Sequence, residues 1–270
     1  MRLDSEGAQL TFVGLGPLGA DGVAPAAVAA VRAASAVFVD DYTAVLPADS
    51  LAFLEKARGA PIERLGRARL EDGAELLAAA AAPGGAVLLV AGDPMAATTH
   101  VSLRIAAVRA GTKVRIIFAP SITHTAFSEA GLQHYKAGRT VSVPYPDKGF
   151  SPTSPLARIA ENRTAGLHTL VLLDIKADQG RYMTAPEGLR ALLEMAAKGA
   201  DGGLGPRTLV VAVERAGEAN ARARAGAVER LISLQYGPPM HCLIVPGALH
   251  FEEREALAAL CGALPEELPP

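Results

Sequence analysis

Short apolar runs rich in β-branched residues alternate along this chain with longer Ala/Leu segments of helical period, and that alternation is the pattern of a parallel sheet with crossover helices. The fold class it predicts is α/β. In the first half the strand-like runs fall at 10–13, 36–40, 86–91 and 114–118, with helices over about 25–34, 50–57, 70–82 and 99–110. Pro25 suits a first helical turn and Gly111 a helix stop. The chain turns loop-like at Ala119-Pro120-Ser121, which places a boundary near residue 120 and predicts two domains, 1–120 and 121–270. After a short helix at 122–130 the alternation resumes, with strands near 140–143, 168–174, 208–213 and 240–245. Helices are expected near Ser154, near Leu249 and after Thr184, where Thr184-x-x-Glu187 is a capping box. The segments 144–155 and 200–206 are Pro/Gly-rich loops, and Gly237-Pro238-Pro239 punctuates the approach to the last strand. The apolar stripes of 70–82 and 189–197 are core-facing seams or dimer surface.

A chain of 270 residues that is 50% hydrophobic and 20% charged is long and apolar enough to bury a core, which excludes a disordered chain. The formal charge of −2 lacks the basic footprint that free nucleic acid requires. No run reaches the roughly 18 uninterrupted apolar residues of a membrane span. The first residues, Met1-Arg-Leu-Asp-Ser-Glu-Gly7, carry acids before any apolar stretch, unlike a signal peptide, so a cytoplasmic location is expected. Cys242 and Cys261 show no CxxC spacing and read as reduced, packed thiols. The six histidines (100, 124, 134, 168, 241 and 250) include no HExxH and no i, i+4 pair, so no metal is assigned.

The segment Val13-Gly14-Leu15-Gly16-Pro17-Leu18-Gly19 is a literal GxGxxG after a strand, with Asp40 and Asp41 about 20 residues on. The spacing is that of a dinucleotide fingerprint. In that fold, however, the helix opens within the glycines and its amides face the pyrophosphate. Here Ala20-Asp21-Gly22 is turn chemistry and the helix waits for Pro25. Three readings stay open: an NAD or FAD site, a structural tight turn, and a close backbone approach to another ligand. A second loop, Gly92-Asp93-Pro94-Met95-Ala96-Ala97-Thr98-Thr99-His100, follows the buried run 87–90 and lies where open α/β sheets place ligands. Asp93 is either a loop-terminating acid or an acceptor for a polar or cationic ligand. Thr98 and Thr99 read as helix caps, and His100, His124 and His134 as loop or helix-end hydrogen-bonders. Arg222-Ala-Arg224, near Glu229-Arg230, is a solvated face or a contact for a protein substrate.

Several blocks in one order carry a resemblance. They are Phe12-Val-Gly-Leu-Gly16, Gly92-Asp-Pro-Met95, Ala97-Thr-Thr-His100, Pro120-Ser-Ile122, Gly166-Leu-His-Thr-Leu170 with Leu173-Asp-Ile-Lys176, Tyr182-Met-Thr-Ala185, Arg215-Ala-Gly217, and Gly237-Pro-Pro-Met-His241 with Ile244-Val-Pro-Gly247 and Leu249-His250. From about residue 9 to 251 the chain resembles the diphthine synthase family, within the tetrapyrrole-methylase-like S-adenosylmethionine-dependent methyltransferases. The resemblance implies two α/β domains with the S-adenosyl-L-methionine cofactor in the cleft between them, and a homodimer. It implies N-methylation of the 3-carboxy-3-aminopropyl group on a histidine of translation elongation factor 2. Transferred block by block, the implied cofactor contacts are Pro17, Asp93, Ala96, Ser121, Ile122, Leu172, Ala216 and His241. The chain departs from the family pattern at Pro17, which removes an amide donor from the first loop, and at Asp40-Asp41-Tyr42-Thr43, where the family reads Glu-Phe/Tyr-Tyr-Thr.

Such a donor carries an activated methyl, so the protein supplies alignment and a dry site rather than a covalent nucleophile. An acceptor amine resembling lysine is neutral in only roughly one molecule in a few thousand at pH 7. A proton acceptor is therefore needed, and Asp93, directly or through water, is the expected catalytic residue. The small Ala96 and Ala97 leave room for repeated methylation to a bulky cation. A small-molecule tetrapyrrole methylase and a non-catalytic nucleotide-binding module are the competing readings.

Overall fold

Strand β1 (Gln9–Gly14) shows how the first half is layered: Leu10 and Phe12 point into one core and Val13 into another. The computed structural model describes residues 7–42, 45–46, 48–146, 152–198 and 203–269. The leader reading at the N-terminus, Thr43, the middle of the first Pro/Gly-rich loop and the start of the second lie outside the described residues. Internal contacts divide the chain into one unit of Met1–Ile122 with Ala177–Gln179, and a second of Thr123–Lys176 with Gly180–Pro270.

In the first unit β1 joins β2 (Ala36–Asp40), β3 (Glu63–Leu65), β4 (Ala86–Val90) and β5 (Lys113–Ile117) in the order β3-β2-β4-β1-β5, all parallel. Helices α1 (Pro25–Ala33) and α2 (Ala48–Arg58) cover the face that carries Val13, Val39 and Leu89. Helices α3 (Arg67–Asp72), α4 (Ala74–Ala81) and α5 (His100–Arg109) cover the face with Phe12, Phe38 and Leu88. The connection after β1 runs toward β2 and the one after β4 crosses back to β5, so the winding reverses between β4 and β1. The single helix expected over 70–82 is two, broken at Gly73. That residue holds φ +69, and a Cβ there would run into Leu103 Cδ2. The three-residue β3 escaped prediction because Glu-Arg-Leu has no run of apolar residues to read.

The second unit holds β6 (Val141–Val143), β7 (Thr169–Leu173), the hairpin of β8 (Ile175–Lys176) and β9 (Arg181–Tyr182), β10 (Leu209–Glu214), β11 (Arg222–Ala227) and β12 (His241–Val245). Its main sheet runs β11-β10-β12-β7-β6, and only β6 and β7 are parallel. This corrects the expectation that the parallel pattern repeats. Residues 215–221 are too few for the crossover that a parallel return needs. Strand β11 was missed because Arg-Ala-Arg-Ala-Gly-Ala has no β-branched residue. Helices α7 (Ser154–Thr164), α8 (Ala185–Ala197) and α9 (Val228–Ser233) pack Ile159, Leu192 and Leu231 against one sheet face, while α10 (Phe251–Cys261) lies against β11. Helix α6 (Ile122–Ala130) begins where the division falls. The capping box that starts α8 forms, with Glu187 Oε2 accepting from Thr184 N–H and Oγ1–H, each at 2.7 Å. Among the described residues no helix is long and apolar enough to cross a membrane.

Candidate methyl-transfer site

At the carboxyl edge of the first sheet, three loops meet where the winding reverses, the position at which open α/β sheets bind ligands. Gly16 N–H donates to Gly92 O at 3.2 Å, bridging the loops after β1 and β4. A Cβ on Gly14 would stand 2.6 Å from Gly92 O, 2.8 Å from Pro94 Cδ and 3.0 Å from Ala119 Cβ, so only glycine lets these backbones approach. Gly92 in turn lies against Pro120 and Ser121. Of the residues expected to hold a cofactor, Pro17, Asp93, Ala96, Ser121 and Ile122 therefore lie on or beside one cluster of loops. The dinucleotide alternative loses its mechanics here: α1 opens only at Pro25, and the amide of Ala20 is taken by Asp49 Oδ2 at 3.2 Å.

Asp93 Oδ1 accepts from Met95 N–H at 2.8 Å, a turn that leaves Oδ2 with no hydrogen bond among the described residues. Ala97 holds φ +54, a conformation costly for a residue with a Cβ. Thr98 Oγ1 beside it is buried without a hydrogen-bond partner among the described residues. This corrects the capping role read for the two threonines. Thr99, at the N-cap position of α5, makes no side-chain cap bond, and its side chain pairs instead with Tyr42. His100 Nδ1 lies 2.9 Å from Pro94 O, and its Nε2 stands 3.3 Å from Asp40 Oδ2, out of line for a hydrogen bond. His100 thereby ties the Gly92-Asp-Pro-Met loop to the end of β2.

In the second unit Leu172 pairs with Cys242, next in sequence to His241, and His241 pairs with Glu214 at the end of β10. Ala216 follows two residues later, between Arg215 at φ +47 and Gly217, whose N–H donates to Glu129 Oε1 at 3.0 Å. Leu172, Ala216 and His241 thus share one sheet edge. Burial holds the His241 imidazole below its ordinary pKa despite the charge of Glu214, so the ring is neutral. Its Nδ1 accepts from Ala185 N–H at 3.1 Å, and Nε2–H is shared by Gly237 O and Pro238 O at 3.1 and 3.2 Å. Both ring nitrogens are occupied, which leaves the ring face and main chain for any ligand.

The buried Glu214 is a site residue that sequence reasoning missed. Its Oε2 accepts from Gly237 N–H at 2.6 Å, and Oε1 faces Arg224 at 3.1 Å. Arg224 also lies 5.0 Å over the Tyr236 ring, so it is not the solvated arginine that its charge run implied. An acid closing an apolar run, as in Leu-Val-Val-Ala-Val-Glu214, was the available signal.

An adenosyl sulfonium with an amino-acid tail needs peptide groups, a few oxygen acceptors and small walls. The Gly16–Gly92 bridge, the orphaned Thr98 Oγ1, the open Asp93 Oδ2 and Ala96 fit that need. Among the described residues no group of three His, Cys, Asp or Glu could hold a metal.

The family described as Tetrapyrrole (Corrin/Porphyrin) Methylases matches residues 9–232. The diphthine synthase of Methanothermobacter thermautotrophicus is 41% identical over 254 residues, covering 94% of this chain and 96% of that protein. That of Methanoregula boonei is 44% identical over 253 residues, covering 94% and 99%. The crystal structure of a diphthine synthase superposes with a TM-score of 0.86 at 31% identity, covering 96% of this chain and 98% of that one. The chain belongs to the tetrapyrrole methylase family and, within it, to the diphthine synthases. It is an enzyme of the S-adenosylmethionine-dependent methyltransferase class.

Proposed function

We propose that this enzyme N-methylates the 3-carboxy-3-aminopropyl-histidine intermediate on translation elongation factor 2, with S-adenosyl-L-methionine as donor, a step of diphthamide biosynthesis. The observation that carries the reading is the meeting of the Gly14–Pro17, Gly92–Ala97 and Pro120–Ser121 loops at the point where the first sheet reverses its winding. High identity to proteins named diphthine synthase over nearly the whole chain supports the choice of acceptor. When bound, the donor supplies a methyl on a positively charged sulfur, open to displacement by an amine lone pair.

The peptide groups of Gly16 and Gly92, with Ala96, Ser121 and Ile122, hold the donor from the first unit; Pro17 offers only its ring and carbonyl. Leu172, Ala216 and the face of His241 serve from the second. Asp93, its Oδ1 fixed by Met95 N–H, uses Oδ2 to take the amine proton directly or through a water. The small Ala96 and Ala97 leave space for three successive transfers. In this reading the enzyme works in the cytoplasm as a homodimer.

Incubation with methyl-labelled S-adenosylmethionine tests the reading. Label in elongation factor 2 that bears the intermediate, in three equivalents, is the expected result. Label in a uroporphyrin-type tetrapyrrole instead, or in neither, overturns it.

A further inference from the structure

At the end of β7 in the second unit, Asp174 leads into the β8–β9 hairpin, where Lys176 and Arg181 are direct cross-strand partners. Both lie over the ring of Tyr145: the guanidinium of Arg181 is 4.1 Å and Lys176 Nζ 5.7 Å from its centroid. Tyr145 is only 6% exposed, and its N–H donates to Asp174 Oδ2 at 2.8 Å, so the ring is a fixed shelf. Arg181 itself is exposed. The neighbouring acids have other duties. Asp174 holds the Tyr145 backbone and Glu187 caps α8, and no ion pair joins Arg181 to any carboxylate among the described residues.

Contact with the ring of Tyr145 and a side-chain hydrogen bond to it hold the Arg181 guanidinium in place, and the remaining N–H donors of its fork suit a bidentate anion. The hairpin also has a telling place in the chain. It follows Leu172 by three residues, and its far strand runs through Thr184 into Ala185, whose N–H is bonded to His241. The hairpin is thereby joined through short stretches of chain to two of the residues assigned to the donor in this unit. The acceptor of the proposed reaction carries a carboxylate on the same carbon as the amine to be methylated.

We propose that Arg181, reinforced by the charge of Lys176 and held by Tyr145, is the specificity determinant that binds the carboxylate of the acceptor amino acid. This rests on the functional reading above. Gripping the carboxylate fixes the amine one carbon away, and an acceptor amine without an adjacent carboxylate is thereby refused.

The test compares wild type, Arg181→Met and Arg181→Lys with labelled S-adenosylmethionine and intermediate-bearing elongation factor 2, alongside calorimetric titration with S-adenosylhomocysteine. The Met variant raises the KM for the acceptor by about tenfold or more, with kcat within threefold. The Lys variant, with charge but no fork, falls between. Both bind S-adenosylhomocysteine within twofold of wild type. An unchanged acceptor KM in the Met variant, with wild type active, overturns the assignment alone. Loss of S-adenosylhomocysteine binding in both variants overturns it too, since Arg181 then serves the donor site or the fold. A wild type that puts no label into elongation factor 2 overturns the functional reading beneath it.

Discussion

Gly14, the last residue of β1, and Gly92, just past the end of β4, lie so close that a Cβ on the first would stand 2.6 Å from the carbonyl oxygen of the second. In Gly14→Ala that oxygen and Pro94 must move, because both belong to backbone or ring and cannot rotate away. The expected cost is about 1–3 kcal/mol, read as a lower urea midpoint. S-adenosylhomocysteine affinity falls at least tenfold, since the displaced loop is the proposed donor seat. An alanine variant with unaltered affinity disproves the role given to this loop.

Asp93→Asn keeps the carbonyl oxygen that Met95 N–H needs, so the loop holds its shape. Turnover at saturating donor drops by roughly a hundredfold or more, the usual scale for loss of a general base, while S-adenosylhomocysteine binds within a few-fold. Intact turnover rejects Asp93 as the proton acceptor.

Glu253 is buried in the first turn of α10. Burial alone pushes its carboxyl up, but donors from His250 N–H, Lys136, Gln133 N–H and His168 together outweigh this and hold it at about 2, against an ordinary 4.5. A lowered folded-state pKa contributes stability above pH 4.5 that drains away as the pH falls from there toward 2, by roughly 3 kcal/mol. Glu253→Gln flattens this part of the stability curve in urea titrations run at several pH values. His168, which burial pulls below its ordinary value against the raising charge of Glu253, adds a loss that begins as the pH drops below 6.5.

Arg224→Ala strips the buried Glu214 of its nearest charge partner and leaves Arg215 at 3.8 Å. A destabilisation of about 3 kcal/mol follows, measurable by denaturant unfolding, with Arg222→Ala as the near-neutral comparison. Equal, small effects from both substitutions restore the solvated-face reading.

The first sheet was legible because every strand but β3 is rich in apolar or β-branched residues and is separated from the next by Ala/Leu-rich helix or by turn residues. The glycine and Asp93 loops announced themselves by backbone chemistry at strand ends. The second sheet was harder to read, since strand direction depends on connection length and the Ala/Arg/Gly strand β11 has no apolar signature. The break at Gly73 hid inside an Ala/Leu-rich stretch because the apolar period continues past it, although the left-handed backbone of Gly73 ends the first helix there. Tyr145, Lys176 and Arg181 come together only through the hairpin register, which spacing alone does not convey.

The proposed donor seat at Gly14 and Gly92 is made of peptide groups, and peptide groups do not mutate. On that proposal, an inhibitor that rests on them meets a surface where point changes can add bulk but cannot retune polarity, and added bulk at position 14 is expected to shut out drug and natural ligand together. Escape from such a compound must come from elsewhere in the enzyme.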